Sequence, residues 1–411
     1  MNLEKSVLYL SYDGMTDPLG QSQVLPYLIG LSKAGYQFTL ISFEKPERYL
    51  QNKQTIENIC QENNIKWYPL SYTKKPPVLS TLKDIWKLRK TVFQLHKKQP
   101  FDLVHCRSYL ASLIGLILKQ RYKVPFIFDM RGFWADERVD GGLWNMNNII
   151  YRSIYRYFKQ KEKKFLTHAD AIISLTHAGK EEMLTWGLPA TLPIHVIPCC
   201  VDLKHFSDNN INHSLLQSLK HKYGITSENL VISYLGSIGT WYMLDEMLDF
   251  FVQVLKKYPK AKLLFITTEP ASLIVPKANA KGIGNDQLII ESAKREEVPT
   301  YISLSHINLF FIKPAYSKKS SSPTKQGEIM AMGIPIVCNN SVGDVEYIIE
   351  KSGSGFVVND FIKEEYDKVV EKFINLSSYN PHHIRKGAEK YFSLSEGIKS
   401  YENIYSKLLS N

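Results

Sequence analysis

Residues 310–339 read FFIKPAYSKKSSSPTKQGEIMAMGIPIVCN, and the rest of the chain is best understood from this stretch outward. It opens on the end of an apolar run, INLFFIKP, that Pro314 terminates: a buried strand and its exit. A polar loop follows with Ser317, Ser320, Ser321, Ser322, Lys318 and Lys319. Pro323 then precedes TKQGEIMAMG, a short helical pattern stopped by Gly333 and Pro335 before a second apolar strand, IPIVCN. Loop and helix start together offer backbone N–H groups, the hydroxyls of Ser320, Ser321, Ser322 and Thr324, and Lys325, a cradle for an anion. Glu328 lies one turn in, where a carboxylate can accept hydrogen bonds from a pair of sugar hydroxyls. Anion donors beside such a carboxylate describe a nucleotide or nucleotide-sugar site. An ordinary strand–loop–helix turn with a solvated lysine reads the same locally, so the surrounding chain must decide.

The same alternation recurs on either side. SVLYLSY reads as a strand, DGMTDPLGQSQ as a glycine-bearing loop and VLPYLIGLSKAG as an apolar helix stopped by Gly35. QFTLISFE, IKWYPLSY, DLVHCRS, PFIFDMRG, AIISLT and HVIPCCVD continue the first half, with helical stretches such as YLASLIGLILKQ between them. LVISYLGSI, AKLLFITT, QLIIESA, INLFFIKP and GFVV repeat the theme in the second half. This spacing predicts right-handed βαβ units and parallel sheets covered on both faces. Composition shifts from apolar to polar across VIPCCVDLKHFSDNN. The expected organisation is therefore two Rossmann-like α/β domains, 1–203 and 204–383, with helices over 384–411 packing back on the first. Ligands of open parallel sheets bind beyond the carboxyl ends of the strands. Two facing sheets with a cleft between them would bring four loops together. These carry Asp13, Gly14, Gly20, Gln21 and Ser22; Asp129 and Arg131, with Trp134, Asp136 and Glu137; Gly236, Ser237, Gly239 and Thr240; and the 310–339 stretch.

Composition narrows the possibilities. At 44% hydrophobic and 22% charged residues, a disordered or low-complexity chain is excluded, and 411 residues exceed a single core. The net charge of +11 calls for an anionic partner: phospholipid, nucleic acid or a phosphorylated substrate. Five cysteines without ligand spacing read as reduced thiols, not a disulfide frame or zinc site. MNLEKSVLYLSYDG enters a strand directly, so no signal peptide is expected, and no apolar run approaches the ~20 residues of a membrane span. The expected location is cytoplasmic, with peripheral attachment to the inner face of the plasma membrane. LKDIWKLRKTVFQLHKK and YRSIYRYFKQKEKKF, where Lys and Arg interleave with aromatic rings, are the segments suited to anionic headgroups. For each segment alone, a helix with one buried and one solvated basic face is the plainer reading.

SYDGMTDPLGQSQVLPYL, HVIPCCVDLKHF, YLGSIG, PTKQGEIMAMGIPIV and GDVEYIIEKSGSGFVV occur in that order. Together they resemble the glycine loop, linker, second-domain opening and E-A-M-A-x-G-x-P-V-V helix, with its continuation, of the family-four-type retaining glycosyltransferases with GT-B fold. The resemblance implies that Glu328 binds the ribose of a nucleotide-sugar donor and that Lys325 neighbours its leaving phosphate. Amides around Gly14 to Gly20 would approach the phosphates or sugar. It implies sugar transfer, with retention, to a glycan or lipid-linked acceptor, in bacterial surface polysaccharide synthesis.

Two departures stand out. The family's first Glu, eight positions before the ribose-binding one, is Ser320 here, and LGSIGTWYMLDE lacks the usual Arg and Lys that clamp the diphosphate. Lys325, Lys313, Arg131, Arg107 or backbone amides must meet that charge, and the nucleotide stays open, monophosphate-linked sugars included. No D-x-D motif occurs, so no metal is expected; no cofactor is expected either, the nucleotide-sugar being a substrate. Lys325, Arg131 and Asp129 are the catalytic candidates, although Asp129 and Arg131 could equally be an ion pair holding their loop. Retaining glycosidases use two carboxyl groups ~5 Å apart. Nothing in the sequence indicates such a pair, which favours front-face displacement assisted by the leaving phosphate. The alternatives are a sugar-nucleotide 2-epimerase of the same architecture and a basic nucleic-acid-binding protein. The latter lacks any helix-turn-helix, zinc-ligand or RNA-recognition pattern.

Overall fold

In a computed structural model, which describes residues 5–410 apart from the side chains at 377 and 378, the chain forms two compact α/β units. The first comprises the residues up to Pro198 together with those from Leu394 on; the second is Cys199–Ser393. The first unit holds β1 (Lys5–Ser11), β2 (Tyr36–Glu44), β3 (Ile65–Ser71), β4 (Leu103–Arg107), β5 (Phe126–Asp129), β6 (Ala171–Ser174) and β7 (Ile194–Val196). They form one parallel sheet in the order β3-β2-β1-β4-β5-β6-β7. The second holds β8 (Val231–Leu235), β9 (Lys262–Ile266), β10 (Leu288–Glu291), β11 (Ile307–Phe310), β12 (Ile336–Asn339) and β13 (Gly355–Val358). Their order is β10-β9-β8-β11-β12-β13, again parallel throughout.

Every residue of β4, β5, β6, β8, β11 and β12 is buried, because helices cover both faces of each sheet. That is why these strands appear in the sequence as unbroken apolar runs. In each sheet the chain steps to one edge and then returns to the other side of its first strand. The reversal falls between β1 and β4, where Ser11 stands opposite Arg107, and between β8 and β11. Such switch points are where open α/β sheets bind ligands. At the second one the buried Asn308 amide donates to the carbonyl and hydroxyl of Ser233, each at 3.0 Å, tying β11 to β8.

Three expectations change. The DGMTDPLGQSQ segment is not all loop: Pro18–Gln23 is helical, with Pro18 at a position where a missing N–H costs nothing. The first unit ends at Pro198, not 203. The second unit extends beyond 383, because the helix Pro381–Phe392 packs on the helices Thr324–Ala331 and Val345–Ser352. Only the helix Leu394–Leu409 belongs to the first unit, with Ile398 lying against Gly30, Tyr401 against Tyr27 and Tyr405 against Tyr36 and Phe38. Val201 N donates to Phe392 O at 2.7 Å, closing the second unit where the chain enters and leaves it.

Candidate active site

In the second unit the site lies beyond β8 and β11. The chain leaves β11, makes a 3-10 turn at Tyr316–Ser320 and enters the helix Thr324–Ala331. Gly327 sets the depth of that helix: an added Cβ would come within 2.7 Å of Val201 and 2.9 Å of Phe392. Lys325 and Glu328, three residues apart, share a face of it.

Lys325 is buried against neutral partners. Its Nζ donates to Tyr234 Oη at 3.0 Å and lies 3.5 Å from the Tyr242 ring centroid and 4.1 Å from that of Tyr234. Tyr234 in turn donates to the Ser237 carbonyl at 2.6 Å. Among the described residues no carboxylate forms an ion pair with Lys325, and burial drives its pKa well below the ordinary lysine value, opposed only in part by Glu328. This is an ammonium site short of negative charge. A few residues away Lys318 is also buried, its Nζ 3.6 Å from the centroid of Trp241.

Glu328 has a side chain 13% exposed, and its nearest cation is Arg295, whose Nη1 is 3.9 Å from Oε1. Burial raises the Glu328 pKa above the usual carboxylate value, against the pull of Arg295 and then Lys325. Within the described residues no donor hydrogen-bonds to this carboxylate, so its oxygens are open to hydroxyl groups brought by a ligand.

The surrounding hydroxyls divide. Ser320 is buried and donates to the Ser317 carbonyl at 2.9 Å, and Ser322 Oγ accepts from Cys199 N at 3.2 Å. Ser320 thus gives its hydrogen to the backbone, which corrects its assignment to the anion cradle, whereas Ser322 is the acceptor in its bond and keeps its O–H for an anion. Ser321 and Thr324 are partly exposed at the helix entrance, and Ser237 and Gly239 are exposed on the loop after β8.

In the first unit the glycine loop turns inward. Met15 N and Thr16 N donate to the two oxygens of the buried Glu44 carboxylate at 2.9 and 3.0 Å, and the hydroxyls of Thr16 and Ser42 each add a bond at 2.5 Å. Gly14 and Gly20 make this possible: a Cβ on Gly20 would lie 2.2 Å from Gly14 O, and one on Gly14 2.7 Å from Glu44. Gln21 is occupied with the Thr16 carbonyl at 3.2 Å. The expectation that the amides between Gly14 and Gly20 approach a donor phosphate is therefore corrected at Met15 and Thr16, whose anion is an internal carboxylate. Glu44→Ala would leave both amides buried and unpaired, and is expected to cost the first unit about 2–4 kcal/mol. Urea denaturation checks this, and an unchanged midpoint would contradict it.

Beyond β4 and β5, Arg107 Nε donates to Asp13 at 3.1 Å across the switch point, and Arg131 pairs with Asp129 at 3.9 Å. Asp129 also accepts from His105 Nε2 at 3.4 Å and Tyr401 Oη at 3.3 Å. Burial raises the Asp129 pKa, but Arg131 and the His105 hydrogen bond outweigh it, and the carboxyl lies below its ordinary value. Burial lowers the His105 pKa; the neutral ring donates at Nε2 and accepts from the Tyr405 hydroxyl at Nδ1, 2.6 Å away. Arg131 holds a left-handed backbone, φ 56°. Farther along, Asp136 is occupied by Tyr155 and Lys159 at 2.7 and 2.9 Å, and Trp134 packs among Tyr109, Trp144 and Phe158. Both side chains thus brace their helix, which corrects the expectation that they stand among the ligand-facing residues of that loop.

Sequence reasoning missed Tyr234, Lys318, Arg295, Glu44 and Tyr401 as partners in these clusters. Trp241 and Tyr242 were visible only as the residues standing where basic ones were expected. No group of three or more His, Cys, Asp or Glu among the described residues is placed to hold a metal ion.

The arrangement agrees with the matches to known proteins. The model of glycosyltransferase family 4 matches residues 24–205, and that of glycosyl transferases group 1 matches residues 217–391. The chain belongs to the family-four glycosyltransferases. A curated relative of this glycosyltransferase, the alpha-monoglucosyldiacylglycerol synthase of Acholeplasma laidlawii, is 20% identical over 76% of this chain and 73% of its own. Sucrose-phosphate synthase from Thermosynechococcus elongatus superposes with a TM-score of 0.73 at 14% identity, covering 99% of both chains. Anabaena HepE, solved with UDP and glucose, gives 0.71 at 13% identity over 97% of this chain and 99% of its own. The last two establish the GT-B fold for this glycosyltransferase and nothing finer.

Proposed function

We propose that this glycosyltransferase moves a sugar from a nucleotide-sugar donor to a glycan or lipid-linked acceptor, with retention and without a metal ion, in surface polysaccharide or glycolipid synthesis. The observation that carries the reading is Glu328, a carboxylate with no hydrogen-bond donor among the described residues, sharing a helix face with Lys325, which no carboxylate among them ion-pairs, at the carboxyl ends of β8 and β11. The UDP and glucose in HepE, and the glycolipid named in the Acholeplasma relative, favour a uridine nucleotide and a lipid acceptor.

In this reading the ribose hydroxyls donate to Glu328. Lys325 leaves its aromatic surroundings to meet the phosphate as charge develops on it, the electrostatic stabilisation that group transfer most needs. The same phosphate takes the acceptor proton on the face it departs from. Arg131, positioned by Asp129, contributes positive charge. Product analysis with UDP-glucose, with and without a lipid extract, tests it. An α-linked product formed only with acceptor is expected; an inverted linkage, or a 2-epimer from donor alone, would overturn it.

No helix among the described residues is long and apolar enough to cross a membrane. The reading instead places the first unit on an anionic bilayer surface. Its helices Leu79–Lys98 and Ile149–His168 both pack on the helix Ser108–Tyr122 and expose large apolar groups among basic ones. Trp86 is 62% exposed beside Leu82, with Lys90 5.3 Å from its ring centroid, and Ile149 is 74% exposed. Trp86→Ala is expected to lower the fraction sedimenting with anionic liposomes several-fold, with added salt lowering it further. Sedimentation that is equal for both proteins and indifferent to salt would remove the membrane surface from the reading.

A further inference from the structure

A carboxylate accepts two hydroxyl hydrogen bonds only while it is ionised; in the neutral acid one oxygen becomes a donor. Glu328 has this task in the donor-site reading, yet it is buried, and burial favours its neutral form. Among the described residues the charged groups that act on it are Arg295, from the turn after β10, and then Lys325, from its own helix. The two differ in kind. Lys325 is itself buried and holds its proton weakly, so its charge is lost as pH rises. A guanidinium stays charged throughout.

Arg295 opens the 3-10 turn Arg295–Glu297 that follows β10, and two neighbours from the 205–206 segment hold it there. Its guanidinium lies 5.8 Å from the Phe206 ring centroid, and its carbonyl accepts from His205 Nε2 at 3.0 Å. The 3.9 Å between its Nη1 and Glu328 Oε1 is within the range of an ion pair and beyond that of a hydrogen bond. Arg295 therefore lends its field to the carboxylate without occupying either oxygen, and both stay available to hydroxyl groups.

We propose that Arg295 is a positioning residue of the donor site: it keeps Glu328 in the ionised form that accepts the ribose hydroxyls, and so sets the acid limit of donor binding. The proposal rests on the donor-site reading of Glu328 and adds a role for a side chain that does not touch the nucleotide. An opposite charge within ~4–6 Å holds a carboxyl roughly 1–3 pH units lower than it would otherwise be. Arg295 is 40% exposed, and solvent screening places its effect at the low end of that range, about one unit.

Isothermal titration calorimetry of the full chain with UDP-glucose, GDP-mannose, ADP-glucose and dTDP-glucose, from acid to neutral pH, tests it. These probes lack the terminal phosphate whose second ionisation near pH ~6 would overlay the titration. For a donor that binds, wild-type affinity should be level above the Glu328 midpoint and fall about tenfold per pH unit below it. Arg295→Met should displace that limb upward by about one pH unit. Binding then weakens about tenfold on the acid side and stays within a few-fold of wild type on the neutral side. Arg295→Lys, which keeps a charge, should recover most of the displacement. Glu328→Gln should bind weakly at every pH and show no such limb. Lys325 loses its proton on the alkaline side and shapes that limb alone. Thermal melting checks that Arg295→Met folds; if it does not, Arg295→Gln takes its place with the same expectation. A limb left where it stands in wild type would overturn this inference, and its loss in Glu328→Gln would leave the donor site standing. An equal loss at every pH would overturn it too, because Arg295 would then be a nucleotide contact. Failure of every probe to bind the wild type would overturn both readings.

Discussion

Glu328→Ala is expected to remove between about half and nearly all of the nucleotide-dependent stabilisation while leaving the fold intact. Its carboxylate has no hydrogen-bond donor among the described residues, and its nearest cation is at 3.9 Å, so little folding energy depends on it. If it binds the ribose hydroxyls, removing it should weaken the nucleotide roughly 10–100-fold, since hydrogen bonds to a charged group contribute about 1.5–3 kcal/mol. A ligand at 100 times its Kd stabilises the native state by about 2.7 kcal/mol; at a hundredfold weaker affinity the same concentration gives only about 0.4 kcal/mol. A thermal-shift panel of UDP, GDP, ADP, dTDP and CMP on both proteins reads this directly. Equal shifts would exclude Glu328 from the donor site. The pH dependence has a defined sign: the folded pKa lies above the ordinary 4.5, so the Glu328 contribution to stability is fully present below 4.5 and is lost as pH rises through the folded value. The alanine protein should lack that component.

Lys325→Met is expected to separate stability from activity. A buried ammonium with no ion-paired carboxylate among the described residues is an expensive arrangement, and an apolar side chain of similar length relieves it. The variant should melt at or above the wild-type temperature. Its kcat/KM should nevertheless fall about 10²–10³-fold, the range seen when one donor to a developing negative charge is removed. The pH signature again has a sign. Between the depressed folded pKa and the ordinary 10.5, the unfolded chain carries a proton that the folded chain lacks, so wild-type stability rises with pH across that window. Lys325→Met should lose this slope. Activity within a few-fold of wild type would show that Lys325 is structural.

Much of this was legible from local pattern. Apolar runs such as VLYL and INLFF, separated by amphipathic helices, specify parallel sheets because both faces must be covered. Glu328 and Lys325 could be picked out because strand, polar loop and helix start lie within one continuous stretch. Ser320 could not be separated from Ser321, Ser322 and Thr324 in that way. A hydroxyl in such a loop can face a ligand or its own backbone, and only the turn at Tyr316–Ser320 decides which.

The amino-acid sequence by itself determined the α/β class, the two-sheet organisation, the family and the helix that carries the acid and the lysine. These depend on hydrophobic period, turn residues and spacing, all short-range along the chain. Tertiary structure alone decided what each charged group faces. Glu44 reaches amides 28 and 29 residues away, Lys325 a phenol 91 residues away and Tyr405 a histidine 300 residues away. Those meetings follow from strand order and from the final helix returning to the first sheet. Charges are matched through space, and the low dielectric of the interior makes each match, or the lack of one, energetically decisive.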